Sequence, residues 1–347
     1  MSPELITLHL SQLQKSIEKS KTNKYADSRK RDYHDNVLKL SEELNKIDFS
    51  GFPIDHLVLT KKIIDFCFVS VEFLDNSTLV NIPHEIVYCL EKALSEWDDT
   101  NQYIIVTSLH NDLNCFSFNG YLSLNETFYD IIEALFSISF NHRLIQINLP
   151  KYLSQDYLAN VVLYHELGHF VDMRYKITER LSNALNLTVV QQEHYGEFFS
   201  DVFAAQYIGE ASNSYLNYIA YNFPDSSTHP STNSRIEMVR HFLRCDNDKV
   251  LDALKTATQL ITKKELRNRR KVITDVDFRS FIPTIITNEE ELHSIFEVGW
   301  GLWLSKVAEF ELKNISKFEK YQILNNLIEK SISNYMILEK WNKYVPY

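Results

Sequence analysis

Two histidines four residues apart, His165 and His169, flank a glutamate in the run His165-Glu166-Leu167-Gly168-His169. On a helix, positions four apart lie one turn above each other on the same face. Two imidazoles so placed can grip one Zn²⁺, and Glu166 between them can reach a metal-bound water as a general base. The spacing does this chemistry only if the run is helical and a third ligand exists. Otherwise the same residues are two histidines on a core helix.

The surroundings predict a helix. From Asp156 to Tyr175 the chain has no proline and a single glycine, Gly168. Ser154 fits an N-cap, and Asp156 falls in the first turn, where negative charge is favoured. Leu158, Val161, Val162 and Leu163 precede the motif; Leu167, Phe170 and Val171 complete a largely apolar segment. A helix apolar nearly all round is buried. Buried, its two histidines and glutamate need partners, and a metal with its water would supply them.

The third ligand sorts the possibilities. In one scheme it follows closely, as HExxHxxGxxH or HExxHxxGxxD. Here those positions are Asp172 and Tyr175, which excludes that scheme. In the other a glutamate comes from a second helix. Downstream stands Gly196-Glu197-Phe198-Phe199-Ser200-Asp201, with enough chain after His169 for one helix to end and another to begin. Asp201 lies one turn beyond Glu197 on the same face. Glu197 could ligate the metal while Asp201 accepts the free ring N–H of a ligand histidine, fixing its tautomer. Glu179, Glu193 and His194 are rival third ligands, Glu193 being one turn before Glu197. Glu197 and Asp201 also read as a solvated acidic face.

HExxH followed by ExxSD resembles the gluzincins, the thermolysin-like clan of zinc peptidases. The resemblance implies that His165, His169 and Glu197 are ligands, Glu166 the base, and Asp201 the residue that orients the first histidine. Gly196 stands where thermolysin-type enzymes often have Asn, a departure that concerns a substrate backbone contact rather than the metal. The stretch Thr228-His229-Pro230-Ser231-Thr232-Asn233-Ser234-Arg235-Ile236 is similar to the THP…RI segment of membrane-bound CAAX-type and heat-shock-type gluzincin endopeptidases. It implies that His229 and Arg235 approach the active site, where either could donate to the oxyanion of a tetrahedral intermediate. His229 could instead fill the fourth zinc position in a resting state. Read plainly, His229-Pro230 ends a loop, Ser231 or Thr232 caps a helix, and Arg235 pairs with a carboxylate. The resemblance covers roughly residues 144–242.

The elements that must position these residues are mostly helical. Leu5, Leu8, Leu10 and Leu13, then Val37, Leu38, Leu40 and Leu44, recur at mixed three-to-four spacing. Ile86 to Trp97 reads as an amphipathic helix and Tyr103 to Thr107 as a strand. Phe116 to Leu124, with Asn119-Gly120, reads as a hairpin. Ile145, Ile147 and Leu149 alternate with Gln146 and Asn148, the period of a half-buried strand with one wet face. In zincins an edge strand before the HExxH helix binds extended substrate by strand addition, and residues 144–149 have that place in the order. Further helices are predicted over Val250 to Leu266, Glu289 to Phe310 and Ser316 to Trp341, with Trp300 and Trp303 as core residues.

Composition bounds the rest. The chain has 347 residues, enough for one large or two small domains, and a globular balance of 44% hydrophobic and 24% charged residues. A net charge of −10 with no long basic run argues against nucleic acid as the main partner. Lys263, Lys264, Arg267, Arg269, Arg270 and Lys271 form a local basic cluster, read as a solvated helix face. Met1 to Gln14 lacks a basic region followed by an apolar run, so no signal peptide is expected, and no stretch is long and apolar enough for a membrane span. Cys67, Cys89, Cys115 and Cys245, without CxxC spacing, read as reduced core residues of a cytoplasmic protein.

The expectation is an α+β, predominantly helical fold: a zincin core over residues 101–260, with a small sheet, between helical regions at 1–100 and 261–347. The expected activity is zinc-dependent endopeptidase cleavage of a protein or peptide substrate, with a regulatory partner protein also possible. The alternatives are a non-proteolytic zinc-site scaffold that binds a partner through its helical flanks, and another zinc hydrolase such as an amidase.

Overall fold

Apolar residues at three-to-four spacing make most of the described residues helical and leave a small sheet. The computed structural model describes residues 2–113, 115–273, 276, 278–305 and 315–344. Over these the architecture is α+β and predominantly helical, with one three-stranded sheet. The chain divides into two units, one of Met1–His84 with Asp99–Ser154 and one of Glu85–Asp98 with Gln155–Tyr347.

The first unit holds helices α1 (Pro3–Ser20), α2 (Ser28–Asn45), α3 (Ile54–Asn76) and α5 (Glu126–Phe136), and strands β1 (Tyr103–His110), β2 (Ser117–Asn119) and β3 (Arg143–Pro150). Helix α1 buries Ile6, Leu10, Leu13 and Ile17, a stripe along one face. Asp27 caps α2 by accepting from the Arg29 N–H, and α2 buries Tyr33, Val37, Leu40 and Leu44 in the same core.

The sheet order is β1-β3-β2, with β1 parallel to β3 from Tyr103↔Arg143 to His110↔Pro150. Two expectations are corrected here. Residues 143–150 form the central strand, not an edge: β2 pairs antiparallel with Gln146–Asn148 on the other side. Residues 116–124 are therefore no hairpin of their own, because Ser117–Asn119 spend their backbone pairing on β3. Gln146, expected on a wet face, is buried in register with Val106. Asn148 is held by Ser117 Oγ, to which its amide donates at 2.8 Å, and by His110 Nε2 at 3.3 Å.

The second unit holds α4 (His84–Ser95, from Glu85 on), α6 (Val162–Tyr175), α7 (Ile177–Leu185), α8 (Val189–Ile208), α9 (Ala211–Ile219), α10 (Thr232–Arg244), α11 (Lys249–Thr262), α12 (Glu289–Leu304) and α13 (Lys317–Tyr344). Helix α6 begins later than its apolar pattern predicts. Ser154 Oγ donates to the Lys151 carbonyl instead of capping. The following backbone is claimed by side chains: Asn325 Oδ1 accepts from the N–H groups of Tyr157 and Leu158, Asp156 from that of Ala159, and the Trp300 indole donates to the Leu158 carbonyl. Groups satisfied this way have no need of helix.

The basic cluster also differs from its expectation. Helix α11 ends at Thr262, and the segment beyond it is not helical. Three of its six cations are in ion pairs, Arg269 with Glu96, Arg270 with Glu297 and Lys271 with Glu291 at 2.6 Å, while Lys263 and Lys264 donate to backbone carbonyls. Cys67 and Cys89 are core residues as expected, whereas Cys115 is half-buried and Cys245 exposed; none of the four forms a disulfide. Trp300 is buried, and Trp303 is half-buried against Tyr321. The end of the helix expected over Glu289 to Phe310 lies outside the described residues. Among the described residues, no helix is long and apolar enough to cross a membrane.

Candidate metal centre

Helix α6 is buried from Leu163 through Gly168, and it carries His165 and His169 on one face. Their Nε2 atoms lie 3.0 Å apart, with the rings perpendicular. Helix α8 supplies the third group. Glu197 Oε2 is 3.5 Å from His165 Nε2, and Oε1 is 3.5 Å from His169 Nε2. One ligand atom from each of the three residues falls within 4.8 Å of the others, and this buried group could hold a metal ion.

Glycine allows this convergence. A Cβ on Gly168 would lie 2.8 Å from the Ser200 Cα and 3.2 Å from the Phe203 Cβ, so α6 and α8 cross at the motif's glycine. Helix α8 is started by a capping box, in which Thr188 and Gln191 satisfy each other's backbone N–H groups. Asp172, at the excluded ligand position, turns the chain from α6 into α7 by accepting from the Thr178 N–H at 2.8 Å and from its hydroxyl. Burial raises the Asp172 carboxyl to about 6. Tyr175, the other excluded position, donates to the Trp97 carbonyl.

The outer ring nitrogens have partners of their own. Asp201 Oδ1 lies 2.9 Å from His165 Nδ1, as expected from its place one turn beyond Glu197. Ser200 Oγ lies 3.0 Å from His169 Nδ1, a role that sequence reasoning missed although Ser200 stands beside Asp201 in the motif. With Asp201 and Ser200 on the two Nδ1 atoms, the Nε2 atoms 3.0 Å apart can share a proton carried by His165 or take a metal ion between them. Burial opposes charge on His165, but Asp201 and Glu197 outweigh it and raise its pKa to about 10. Burial and the neighbouring His165 push His169 down to about 3. Glu197 stays well below the usual carboxylate range despite its burial, held there by His165 and Arg235. Its Oε2 makes no hydrogen bond of acceptable geometry, although Arg235 Nη1 is 3.1 Å away. The donor set thus fits a cation: two facing imidazole nitrogens and a buried carboxylate oxygen that makes no hydrogen bond.

Glu166, adjacent to His165, is 5% exposed. Both residues of the later segment reach the site. Ser231 caps α10 by accepting from the Ser234 N–H, and Arg235 follows one turn in. Its Nε and Nη2 grip the two oxygens of Asp201 at 2.7 Å each. His229 is 56% exposed, with Nε2 3.5 Å from Glu197 Oε1. The rivals fall away: Glu193 and Glu179 are exposed and outside the ligand group. His194 instead donates from Nε2 to the Ser226 carbonyl at 2.8 Å, tethering the loop that carries His229.

No family model matches the chain, and no curated protein or solved structure matches it.

Proposed function

We propose that the protein is a zinc-dependent endopeptidase with a gluzincin-type zincin core. The observation that carries the reading is the convergence of His165 and His169 of α6 with Glu197 of α8, next to the buried Glu166. The charge supports a divalent ion. Glu166, Glu197 and Asp201 are buried carboxylates around the buried Arg235 guanidinium, so carboxylates outnumber the guanidinium at the site and a cation between the two imidazoles suits their charge. Nitrogen and oxygen donors of this kind suit Zn²⁺.

When bound, the metal supplies Lewis acidity and brings the pKa of a water to about 7. Asp201 and Ser200 hold the two imidazoles by their Nδ1 atoms and fix which nitrogen faces inward. Glu166 takes the proton of the attacking water on its carboxylate and delivers it to the leaving amine. The reading gives His229 Nε2 the developing oxyanion, supported by its exposure and its reach to Glu197. The substrate is a protein or peptide, and the setting is cytoplasmic, supported by four cysteines that form no disulfide.

The test is a peptide-library cleavage assay on protein purified without chelators, with zinc measured per chain. Glu166→Gln should keep its zinc and lose about 10²–10⁴-fold in cleavage rate. Zinc near zero in the native protein, or unchanged cleavage in Glu166→Gln, would sink the proposal.

A further inference from the structure

Arg235 was one of two candidate donors to the oxyanion, with a carboxylate pairing as the plainer reading, and its guanidinium is engaged by carboxylates. It is 8% exposed, both oxygens of Asp201 accept from it at 2.7 Å, and Nη1 lies 3.1 Å from Glu197 Oε2. Nη2 is also 3.5 Å from each ring nitrogen of His165. One planar cation therefore touches a ligand carboxylate, a ligand imidazole and the carboxylate that orients that imidazole. The fork geometry suits this, since a guanidinium can hold one carboxylate with two N–H groups and offer a third to another.

We propose that Arg235 is a positioning residue that keeps Glu197, Asp201 and His165 assembled before metal arrives, and that it yields its hold on Glu197 to the metal. Two buried carboxylates on adjacent turns of α8 repel each other, and neither can be left unpaired out of water. Without the guanidinium, His165 alone faces both carboxylates, and turning a side chain of α8 away from α6 would relieve the repulsion. The same Glu197 oxygen faces both Arg235 and His165 Nε2, so metal and guanidinium draw on one atom. Removing the guanidinium should therefore harm the metal-free protein more than the loaded one. The inference rests on the divalent-metal reading of the site and not on peptidase activity.

The experiment is thermal unfolding of wild type and Arg235→Met, each stripped of metal and each saturated with Zn²⁺, with zinc affinity measured by competition against a chelator dye. Metal-free Arg235→Met should unfold on the order of 10 °C below metal-free wild type, and the gap should narrow clearly with zinc. Equal gaps in the two states would overturn the proposal by making Arg235 a plain structural ion pair. No gap in either state would overturn it as well. Should Arg235→Met fail to fold, Arg235→Lys keeps the charge and loses the fork; a metal-free stability gap that narrows with zinc, and by linkage a zinc affinity above that of wild type, supports the proposal, and an unchanged or weaker affinity overturns it. Wild type that binds no zinc defeats the metal reading itself, an outcome distinct from these.

Discussion

The Cα of Ser200 lies 2.8 Å from where a Cβ on Gly168 would stand. The glycine inside the histidine motif is thus the contact point between the helix bearing two ligands and the helix bearing the third. Gly168→Ala should push α6 and α8 apart, because the obstructing atom is backbone. Overpacking of this kind costs about 1–3 kcal/mol, and the wider spacing should weaken zinc binding as well. Gly196→Ala is the control: its Cβ would meet nothing nearer than the Asp172 Oδ2 at 3.7 Å. There the better helix propensity of alanine should stabilise by about 0.5–1 kcal/mol. Denaturant unfolding of both variants measures the contrast, and equal effects at the two glycines would contradict it.

The partners of the outer ring nitrogens predict a graded loss of metal affinity. Asp201→Asn replaces a charged acceptor at His165 Nδ1 and also loosens Arg235. Ser200→Ala removes only a neutral hydroxyl from His169 Nδ1. Both should weaken zinc binding within the range of about 10–100-fold, with Asp201→Asn the worse of the two. Competition with a chelator dye reads both constants, and the reverse order would argue against this assignment.

Much of the site was legible because its residues are tied to helical spacing. His165, Glu166 and His169 share one turn, and Glu197, Ser200 and Asp201 share another, so local periodicity brings each set together before any tertiary contact is considered. The reach of His229 and Arg235 came from a resemblance in the segment that follows, and the structure brings both to Glu197. What periodicity could not supply was pairing between distant segments. The alternation at residues 144–149 marks a strand but says nothing of which strands flank it, so β2 on its far side was missed. The start of α6 was hidden for a similar reason: the groups that hold residues 156–161 out of the helix come from Asn325 and Trp300, far along the chain.

His293 predicts an acid limit to stability. It is 2% exposed on α12, and the Tyr164 hydroxyl lies 2.8 Å from its Nδ1. Burial, reinforced by Lys92, holds its pKa down at about 3 against an ordinary 6.5. The folded protein therefore refuses a proton that the unfolded chain accepts. The contribution is present in full above pH 6.5 and is lost as pH falls from there toward 3, at about 1.4 kcal/mol per pH unit. Between pH 6.5 and 5 that amounts to about 2 kcal/mol. A His293→Gln variant should be less stable at neutral pH but should show a shallower loss on acidification. An unchanged slope of Tm against pH would count against this role.

His229 separates two roles by a single substitution. Its Nε2 faces Glu197 Oε1 at 3.5 Å, and Nδ1 is 2.8 Å from Thr228 Oγ1. Its backbone is fixed by Ser226, whose N–H donates to the His229 carbonyl and whose hydroxyl accepts from the His229 N–H. The loop therefore stays in place when the imidazole is removed. As an oxyanion donor, His229 is needed only when negative charge develops on the substrate. His229→Ala should then lower kcat about 10²-fold while zinc affinity and Tm stay near wild type. As a fourth resting ligand, it would stabilise the metal in the absence of substrate, and the same alanine would weaken zinc binding before any turnover is measured. Zinc titration alongside steady-state kinetics distinguishes the two. His194→Ala, which frees the Ser226 carbonyl, should lower kcat in the same direction by a smaller factor, because it loosens the loop and leaves the imidazole intact.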